Sequence, residues 1–192
     1  GVESARALDL YTTGSLDAFA QQTNVNLNSR FLCYDIADLS NELKNLGMMI
    51  ILDQIWTRVT ANRAEGKRTW LYVDEFHMLF QNPYTAEYFL TFFKRARKWG
   101  LMITGITQNI EELLRNDSAR LMLANSDFLL LLNQSPTDAD ALRDLLRMSE
   151  EQRDCFAGVD QGSGLLKSGA AYIPFDNAMD PEKELNTLSS TQ

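Results

Sequence analysis

The stretch Trp70-Leu-Tyr-Val-Asp-Glu-Phe-His-Met-Leu-Phe80 carries the clearest structural signal in the sequence. It begins with a short apolar run that favours a strand, and it turns abruptly polar at Asp74 and Glu75. A continuous apolar run is typical of a strand that is buried on both faces, as in parallel sheets with helices above and below. Ligands bind to such sheets outside the carboxyl ends of the strands. The two carboxylates therefore lie where a ligand site is expected.

Asp74 and Glu75 can be interpreted in two ways. In nucleotide hydrolases, an acid at the end of such a strand holds Mg²⁺, usually through water, and the next acid orients and deprotonates the attacking water. In the other interpretation, a buried strand simply runs into a solvated turn. The dipeptide alone does not favour either interpretation.

Helix and strand patterns alternate along the chain. Strands are predicted over residues 31–36, 70–73, 101–106 and 128–132, and the last is a continuous apolar strand of the buried kind. Capping residues support several helix starts, such as Asn82 before Pro83. Helices are predicted over residues 2–12 and 15–20, from Asp38 or Ser40 to about 62, and over 83–99, 110–114, 117–124, 136–146 and 149–156, with a loop over 21–28.

The C-terminal part of the sequence has the pattern of a hairpin. Residues 165–167 and 170–173 are predicted to pair across a turn at Ser168 and Gly169. Together, the alternating strands and helices predict an α/β fold with a mostly parallel sheet and a C-terminal β-hairpin.

Composition excludes several function classes. The net charge of −8, from 26 acidic and 18 basic residues, argues against a general electrostatic nucleic-acid binder, although a local basic patch could exist. Cys33 and Cys155 are too few for a disulfide framework, so a reducing cytoplasm is expected. The longest apolar run, around residues 48–52, is too short to span a bilayer, and no signal peptide is recognised. His77, the only histidine, is interpreted as a packing or surface residue, and transition-metal chemistry is not expected.

Two further features lie in the same strand–helix–strand unit as Asp74 and Glu75. Gln108 follows the predicted strand over 101–106, and its amide would reach a γ-phosphate if the two strands are neighbours. The cluster Lys94-Arg-Ala-Arg-Lys98 could present an arginine to phosphoryl charge across a subunit interface. Taken singly, Gln108 is an ordinary helix-start residue. The cluster, taken singly, is a set of solvated cations that the dipole stabilises at the C-terminus of a helix. In combination, these features favour nucleotide chemistry.

One part of a nucleotide site is missing from the sequence. No Gly-x-x-x-x-Gly-Lys-Ser/Thr segment occurs in its 192 residues. The segment Gly162-Ser-Gly164 precedes a predicted hairpin rather than a helix, so it has the wrong context. Without this loop, the chain lacks the backbone cradle and the lysine that grip the β- and γ-phosphates. We therefore expect the chain to bind ATP poorly by itself.

The combination of motifs resembles the C-terminal ATPase domain of conjugative-transfer ATPases, the type IV secretion motors of the VirB-four type, especially those of Gram-positive integrative elements. The resemblance extends from about Gly14 to Pro174. The segments that carry it are Gly14-Ser-Leu-Asp-Ala-Phe, Arg30-Phe-Leu-Cys-Tyr-Asp-Ile, Thr69-Trp-Leu-Tyr-Val-Asp-Glu, Lys94-Arg-Ala-Arg-Lys-Trp-Gly, Thr104-Gly-Ile-Thr-Gln-Asn and Met122-Leu-Ala-Asn-Ser.

The resemblance implies a RecA-like, P-loop NTPase fold of the additional-catalytic-glutamate class, with a three-layer arrangement, ATP and Mg²⁺. Asp74 matches the Mg²⁺-binding acid of the family, Glu75 the catalytic base and Gln108 the sensor glutamine. Arg97 matches the arginine that acts in trans, with Arg95 as second choice, because the Arg-Lys-x-Gly pattern of the family begins at Arg97.

The resemblance also implies a setting for the parent protein. It implies a hexameric or lower-order assembly that contacts other secretion-channel proteins at the inner face of the cell membrane, on the cytoplasmic side. Indirect contact with DNA or a relaxase is possible, and ATP is the only small-molecule substrate implied. Such a motor would use ATP to power or assemble the conjugative channel.

The absent phosphate loop is the departure from the family pattern. In the family this loop precedes the present segment, so we expect a fragment: residues 1–175 as the C-terminal part of the ATPase domain, truncated before the phosphate-loop strand, and 176–192 as a polar tail. Because the lost strand is internal to the sheet, the strands at 31–36, 70–73 and 101–106 are predicted to lie together. The strand at 128–132 should be separate from them, or the gap should be filled by rearrangement or by another copy of the chain. The fragment itself is expected to be inactive.

Two other functions remain open from the sequence. One is a DNA-pumping coupling ATPase of the wider translocase superfamily, which would have N-terminal transmembrane helices and DNA-dependent hydrolysis. The other is a non-enzymatic, degenerate domain kept for subunit or channel interactions. An intact phosphate loop in the parent protein would distinguish an enzyme from the degenerate domain.

Overall fold

The structure, a computed structural model, describes residues 29–177. The helices predicted over 2–12 and 15–20, the loop over 21–28 and the tail from residue 178 lie outside the described residues. Within the described part, two compact units are present. The first comprises residues 29–73 and 81–104, and the second comprises residues 74–80 and 105–177.

The first unit contains two helices and a pair of strands. In chain order these are α1 Asn41–Ala64, β1 Thr69–Val73, α2 Pro83–Trp99 and β2 Leu101–Gly105, whose last residue already belongs to the second unit. The predicted helix starts at Ser40 and Asn82 are confirmed, and so is the end of α2 at Trp99.

The bounds of α2 follow from local chemistry. The Asn82 side chain caps the helix by accepting a hydrogen bond from the Tyr84 amide at 2.9 Å, and Pro83 occupies the first helical position. Gly100 ends the helix in the left-handed conformation, with φ of 67°, which glycine adopts without steric cost. One face of α2 is buried. Its buried residues are Thr85, Ala86, Phe89, Phe92 and Ala96.

Aromatic rings join α1 to α2 in the core of the first unit. The Trp56 ring of α1 lies 5.3 Å, between centroids, from both the Phe92 and the Trp99 rings of α2. The Arg63 guanidinium stacks over the Trp99 ring at 4.5 Å and donates a hydrogen bond to the Lys98 carbonyl. These contacts fix the last turns of both helices.

β1 and β2 form a parallel pair. The Thr69 amide donates to the Gly100 carbonyl at 3.0 Å where both strands begin. Just beyond their ends, the Phe76 amide donates to the Ile106 carbonyl at 2.8 Å. Donor and acceptor numbers rise together, so the strands run in the same direction, as predicted.

The strand predicted over residues 31–36 is wrong. This segment alternates between half-buried and exposed residues, as a strand does, but it pairs with no strand among the described residues. Its apolar and β-branched residues favour a half-buried extended surface, and such a preference does not by itself supply a ladder partner. The predicted three-strand group is therefore reduced to β1 and β2.

The expected burial of β1 on both faces is also wrong. Trp70 and Tyr72 are 61% and 63% exposed, whereas the alternate residues of the strand are half-buried. One face of β1 is thus exposed among the described residues. The apolar run therefore does not correspond to a strand covered on both faces.

The second unit begins with a short 3₁₀ helix, Phe76–Phe80, and is otherwise formed by residues after β2. Its helices and strands agree closely with the predictions. They are α3 Ile110–Leu114, α4 Asp117–Ala124, β3 Phe128–Leu132, α5 Pro136–Leu146, α6 Glu150–Asp154, β4 Ser163–Ser168 and β5 Ala171–Asp176.

β3, β4 and β5 form an antiparallel sheet in that order. The predicted hairpin is confirmed, but Ser168 pairs with Ala171, so the turn lies one residue later than expected, at Gly169 and Ala170. Gly169 has φ of 57°, a conformation that suits a tight hairpin turn. β3 belongs to a different sheet from β2, as predicted for the strand at 128–132.

One face of this antiparallel sheet forms the core of the second unit. Leu131 and Leu165 pack there with Ala139 and Leu142 of α5 and with Phe156. The buried character expected for all of β3 is wrong, because Phe128 on the opposite face is 71% exposed. An antiparallel sheet with helices on one side buries alternate residues only.

None of the helices within residues 29–177 is both long and apolar enough to cross a membrane.

Candidate functional site

Three of the predicted site residues lie together in the second unit. Asp74 and Glu75 directly follow β1, and Gln108 follows β2 by three residues. The Phe76–Ile106 backbone hydrogen bond, at 2.8 Å, holds the two chain segments side by side at this point. The carboxyl ends of parallel strands thus bring the three polar side chains to one edge, as the sequence predicted.

Glu75 has an unusual backbone conformation. Its φ is 46°, in the left-handed region that residues with a Cβ adopt rarely. The Asp74 carboxylate accepts a hydrogen bond from the Glu75 amide at 2.9 Å, and the Glu75 carbonyl accepts one from the Met78 amide at 2.9 Å. Local strain of this kind persists where the surroundings over-determine it, often at functional sites. Here it turns the chain sharply between the strand and the 3₁₀ helix.

The Glu75 carboxylate connects the two strand ends. Its Oε1 atom accepts a hydrogen bond from Gln108 Nε2 at 3.1 Å. Its Oε2 atom is buried and has no hydrogen-bond partner among the described residues. Each carboxylate oxygen has two acceptor sites, so Oε1, which accepts from Gln108 through one of them, can still accept a proton from an attacking water.

Asp74 is exposed next to this carboxylate. Among the described residues, its side chain makes only the bond to the Glu75 amide. Residues 29–177 hold no group of three or more His, Cys, Asp or Glu side chains arranged to bind a metal. Mg²⁺ in nucleotide sites needs no such group, because it keeps several waters and binds one or two carboxylates together with phosphate oxygens. The exposed Asp74 carboxylate therefore fits the role of a single Mg²⁺ ligand.

His77, interpreted from the sequence as a packing or surface histidine, lies against the residues of the candidate site. Its side chain is 12% exposed and lies within the site. Its Nδ1 atom lies 3.1 Å from Thr107 Oγ1 and 3.3 Å from Glu75 Oε2, and its Nε2 atom lies 3.7 Å from Glu112 Oε2. Its position two residues after Glu75, together with its being the only histidine, was the available signal in the sequence.

Arg95 and Arg97 lie apart from this group in the chain, on the last turns of α2 in the first unit. Both are exposed, and neither forms a salt bridge with the described residues. Arg95 lines a shallow cleft with Tyr88. Burial raises the pKa of Tyr88, as does the nearby Asp53 carboxylate, whereas Arg95 acts in the opposite direction. Two exposed guanidinium groups are available for a partner.

Comparison with known proteins identifies the family. The family model of the TraG P-loop domain matches residues 8–168, which is most of the chain. The chain belongs to the TraG P-loop domain family. The solved structure of VirB4 of Thermoanaerobacter pseudethanolicus is similar, with a TM-score of 0.78 and 27% sequence identity, over 94% of this chain and 50% of that chain. A search of curated proteins found no match.

These comparisons confirm the resemblance to conjugative-transfer ATPases of the VirB4 type and the RecA-like α/β fold class. The chain spans half the length of the VirB4 chain that it matches. Within the TraG P-loop domain, the 192 residues contain the strand-end carboxylates but no phosphate-loop motif.

Gly105 of the TraG P-loop domain was missed by sequence reasoning, although the site depends on it. A Cβ atom at this position would lie 2.7 to 2.9 Å from three carbons of the Phe76 ring. Phe76 is buried, and its ring contacts the Phe80 ring edge-on at 5.1 Å, so it has little room to move. The absence of a side chain at Gly105 lets the backbone after Glu75 approach the end of β2.

We expect Gly105→Ala to destabilise the chain by about 1–3 kcal/mol, as overpacking of a well-filled core does. Urea unfolding measures this change. In a Phe76→Ala background, the same substitution should cost much less, because the clashing ring is gone. Equal costs in the two backgrounds would show that the Gly105–Phe76 contact does not limit this position.

Proposed function

We propose that this chain is the part of an ATP-hydrolysing motor domain that activates water and senses phosphate. The motor would power or assemble a type IV secretion channel for conjugative DNA transfer. The observation that carries the proposal is the hydrogen bond of 3.1 Å between Gln108 and Glu75, made where two parallel strands end. Membership of the TraG P-loop domain family and similarity to VirB4 support it.

In this proposal, Glu75 is the general base. Its Oε1 atom accepts a hydrogen bond from Gln108 and keeps a second acceptor site for a water, whereas its Oε2 atom is buried. A carboxylate so held has a defined direction and can accept the proton of a water placed in line with the γ-phosphate. Gln108 is exposed and can exchange its bond to Glu75 for one to the γ-phosphate, which makes it the sensor.

Asp74 would hold the Mg²⁺ that accompanies ATP. When bound, this ion supplies positive charge that neutralises the phosphate oxygens during transfer. The role of the chain here is limited to one carboxylate, kept in place by its hydrogen bond from the Glu75 amide. The phosphate groups need further donors, and the sequence has no phosphate-loop motif to provide them.

Arg97 is proposed to act on the site of a neighbouring subunit, with Arg95 as the second candidate. Both guanidinium groups are exposed at the end of α2 and make no salt bridge with the described residues. An arginine that acts in trans stabilises charge on the transferring phosphoryl group at a subunit interface. This role requires self-association into a hexamer or lower-order oligomer.

The remaining proposals concern the setting of the motor. Similarity to VirB4 supports contact with other secretion-channel proteins, peripheral attachment at the inner face of the cell membrane and indirect contact with DNA or a relaxase. These proposals belong to the whole protein, because the chain spans half of the VirB4 chain that it matches.

The first prediction concerns the base. In the protein that carries this chain together with a phosphate loop, Glu75→Gln should abolish ATP turnover, with kcat falling at least about 10²-fold. The ATP affinity should stay the same, because Glu75 is not needed to grip the nucleotide. Phosphate release measures kcat, and titration with a fluorescent ATP analogue measures the affinity for ATP. Glu111→Gln, an exposed substitution with the same chemistry, is the matched control. Hydrolysis at the wild-type rate in Glu75→Gln would refute the assignment.

The second prediction concerns the arginine. Arg97→Ala and Glu75→Gln should each be inactive as pure proteins, because each breaks every site in the oligomer. A mixture of the two should recover part of the activity, since some interfaces then pair an intact Glu75 with an intact Arg97. Lys98→Ala, which removes a neighbouring exposed cation, should keep its activity. Full activity of Arg97→Ala alone would exclude this residue, and Arg95→Ala would then be tested in the same way.

The third prediction concerns the chain by itself. The 192 residues should show no measurable ATP hydrolysis, because they lack the motif whose backbone amides and lysine bind the phosphates. Phosphate release is compared with that of the Glu75→Gln variant of the same chain, which sets the background. Turnover that this substitution removes would mean that the chain binds ATP productively without the motif.

A further inference from the structure

Three site contacts converge on the side chain of His77. This residue is the second in the 3₁₀ helix, and its ring is largely buried. Nδ1 faces two oxygen atoms, Thr107 Oγ1 at 3.1 Å and Glu75 Oε2 at 3.3 Å. Nε2 faces the Glu112 carboxylate at 3.7 Å. The ring therefore lies between the carboxylate of the proposed base and the loop that carries Gln108.

One oxygen of the Glu75 carboxylate needs a hydrogen-bond donor. Its Oε2 atom is buried without a hydrogen bond among the described residues, which costs free energy unless a donor is near. The His77 Nδ1 atom is 3.3 Å away, although it is not aligned for a hydrogen bond in this structure. The tautomer with a proton on Nδ1 would supply this buried oxygen with a donor.

The opposite side of the ring faces a carboxylate that is itself fixed. The Glu112 carboxylate near Nε2 accepts a hydrogen bond from Asn109 Nδ2 at 2.9 Å, and the Glu112 amide donates to the Asn109 side chain at 3.0 Å. Thr107 Oγ1 accepts a hydrogen bond from the Asn109 amide at 3.2 Å. The Thr107 hydroxyl oxygen and the Glu112 carboxylate, which also face the ring, are thus fixed by the start of α3.

We propose that His77 is a positioning residue for Glu75. Its Nδ1–H donates to Glu75 Oε2 and alternates with Thr107 Oγ1 as acceptor, while Gln108 holds the other oxygen of the same carboxylate. The Glu75 carboxylate is thereby oriented by two donors, His77 from the segment after β1 and Gln108 from the segment after β2. This inference rests on the proposed role of Glu75 in ATP hydrolysis, but the hydrogen bond itself can be tested without ATP.

The test without ATP uses the 192-residue chain, in which His77 is the only histidine. After ¹⁵N-histidine labelling, the two ring nitrogens give one pair of NMR signals, whose shifts show which nitrogen carries a proton. We expect a proton on Nδ1, and Glu75→Ala should move that signal. Glu111→Ala, on the exposed side of α3, should leave the signal in place. A neutral ring protonated on Nε2 alone, or an Nδ1 signal unmoved by Glu75→Ala, would overturn the proposal.

The kinetic test uses the protein with a phosphate loop and two amide substitutions. The side-chain nitrogen of asparagine lies near the position of histidine Nδ1, and that of glutamine lies near Nε2. His77→Asn should therefore keep most of the activity. His77→Gln should lower kcat by about tenfold or more through misplacement of the base, without a change in KM for ATP. Equal activity of the two variants would overturn the proposal.

The two hypotheses fail in different ways. If Glu75→Gln remains active, the proposed function is wrong, whatever His77 does. If Glu75→Gln is inactive while His77→Gln matches the wild type, the role of Glu75 stands and that of His77 is refuted. Thermal unfolding midpoints of both His77 variants show whether a shared loss of stability contributes. The NMR result on the wild-type chain does not depend on these variants.

Discussion

The candidate site depends on the alignment of two parallel strands where they end. The hydrogen bond from the Phe76 amide to the Ile106 carbonyl fixes this alignment. Because side chains alternate along a strand, a slip of one residue would turn the polar groups to the opposite face. Gly105 strengthens the same alignment, since its lack of a side chain lets the Phe76 ring pack against the end of β2. The meeting of Glu75 and Gln108 therefore follows from backbone register, and their own hydrogen bond is a consequence of it.

Much of the fold could be predicted because its signals are local. An asparagine before a proline begins α2, and a glycine after Trp99 ends it, so both limits depend on neighbouring residues only. The same holds for the capping box of α6, where Ser149 and Gln152 bond reciprocally. Asp74, Glu75 and Gln108 were found for a related reason: each follows a recognisable strand, and parallel strands bring their ends together.

The parts that could not be predicted depend on residues distant in the sequence. Residues 31–36 have the composition of a strand, but pairing requires a partner that composition does not reveal. The exposure of Trp70 and Phe128 depends on which faces the helices cover. His77 approaches Thr107 across 30 positions of sequence. For Arg95 and Arg97, a role in trans would be decided by a second copy of the chain, which no single sequence displays.

β3 also affects how the chain behaves in concentrated solution. Its sequence, five apolar residues from Phe128 to Leu132, contains neither charge nor proline, and within the described residues it is an edge strand of its sheet. An edge of this kind is a template for intermolecular strand pairing, and short apolar strands without charge favour amyloid-like stacking. In the isolated chain, this edge should favour association even though the net charge of −8 makes the molecules repel one another. A lysine at the outward-facing Leu130 would act as a gatekeeper against such association.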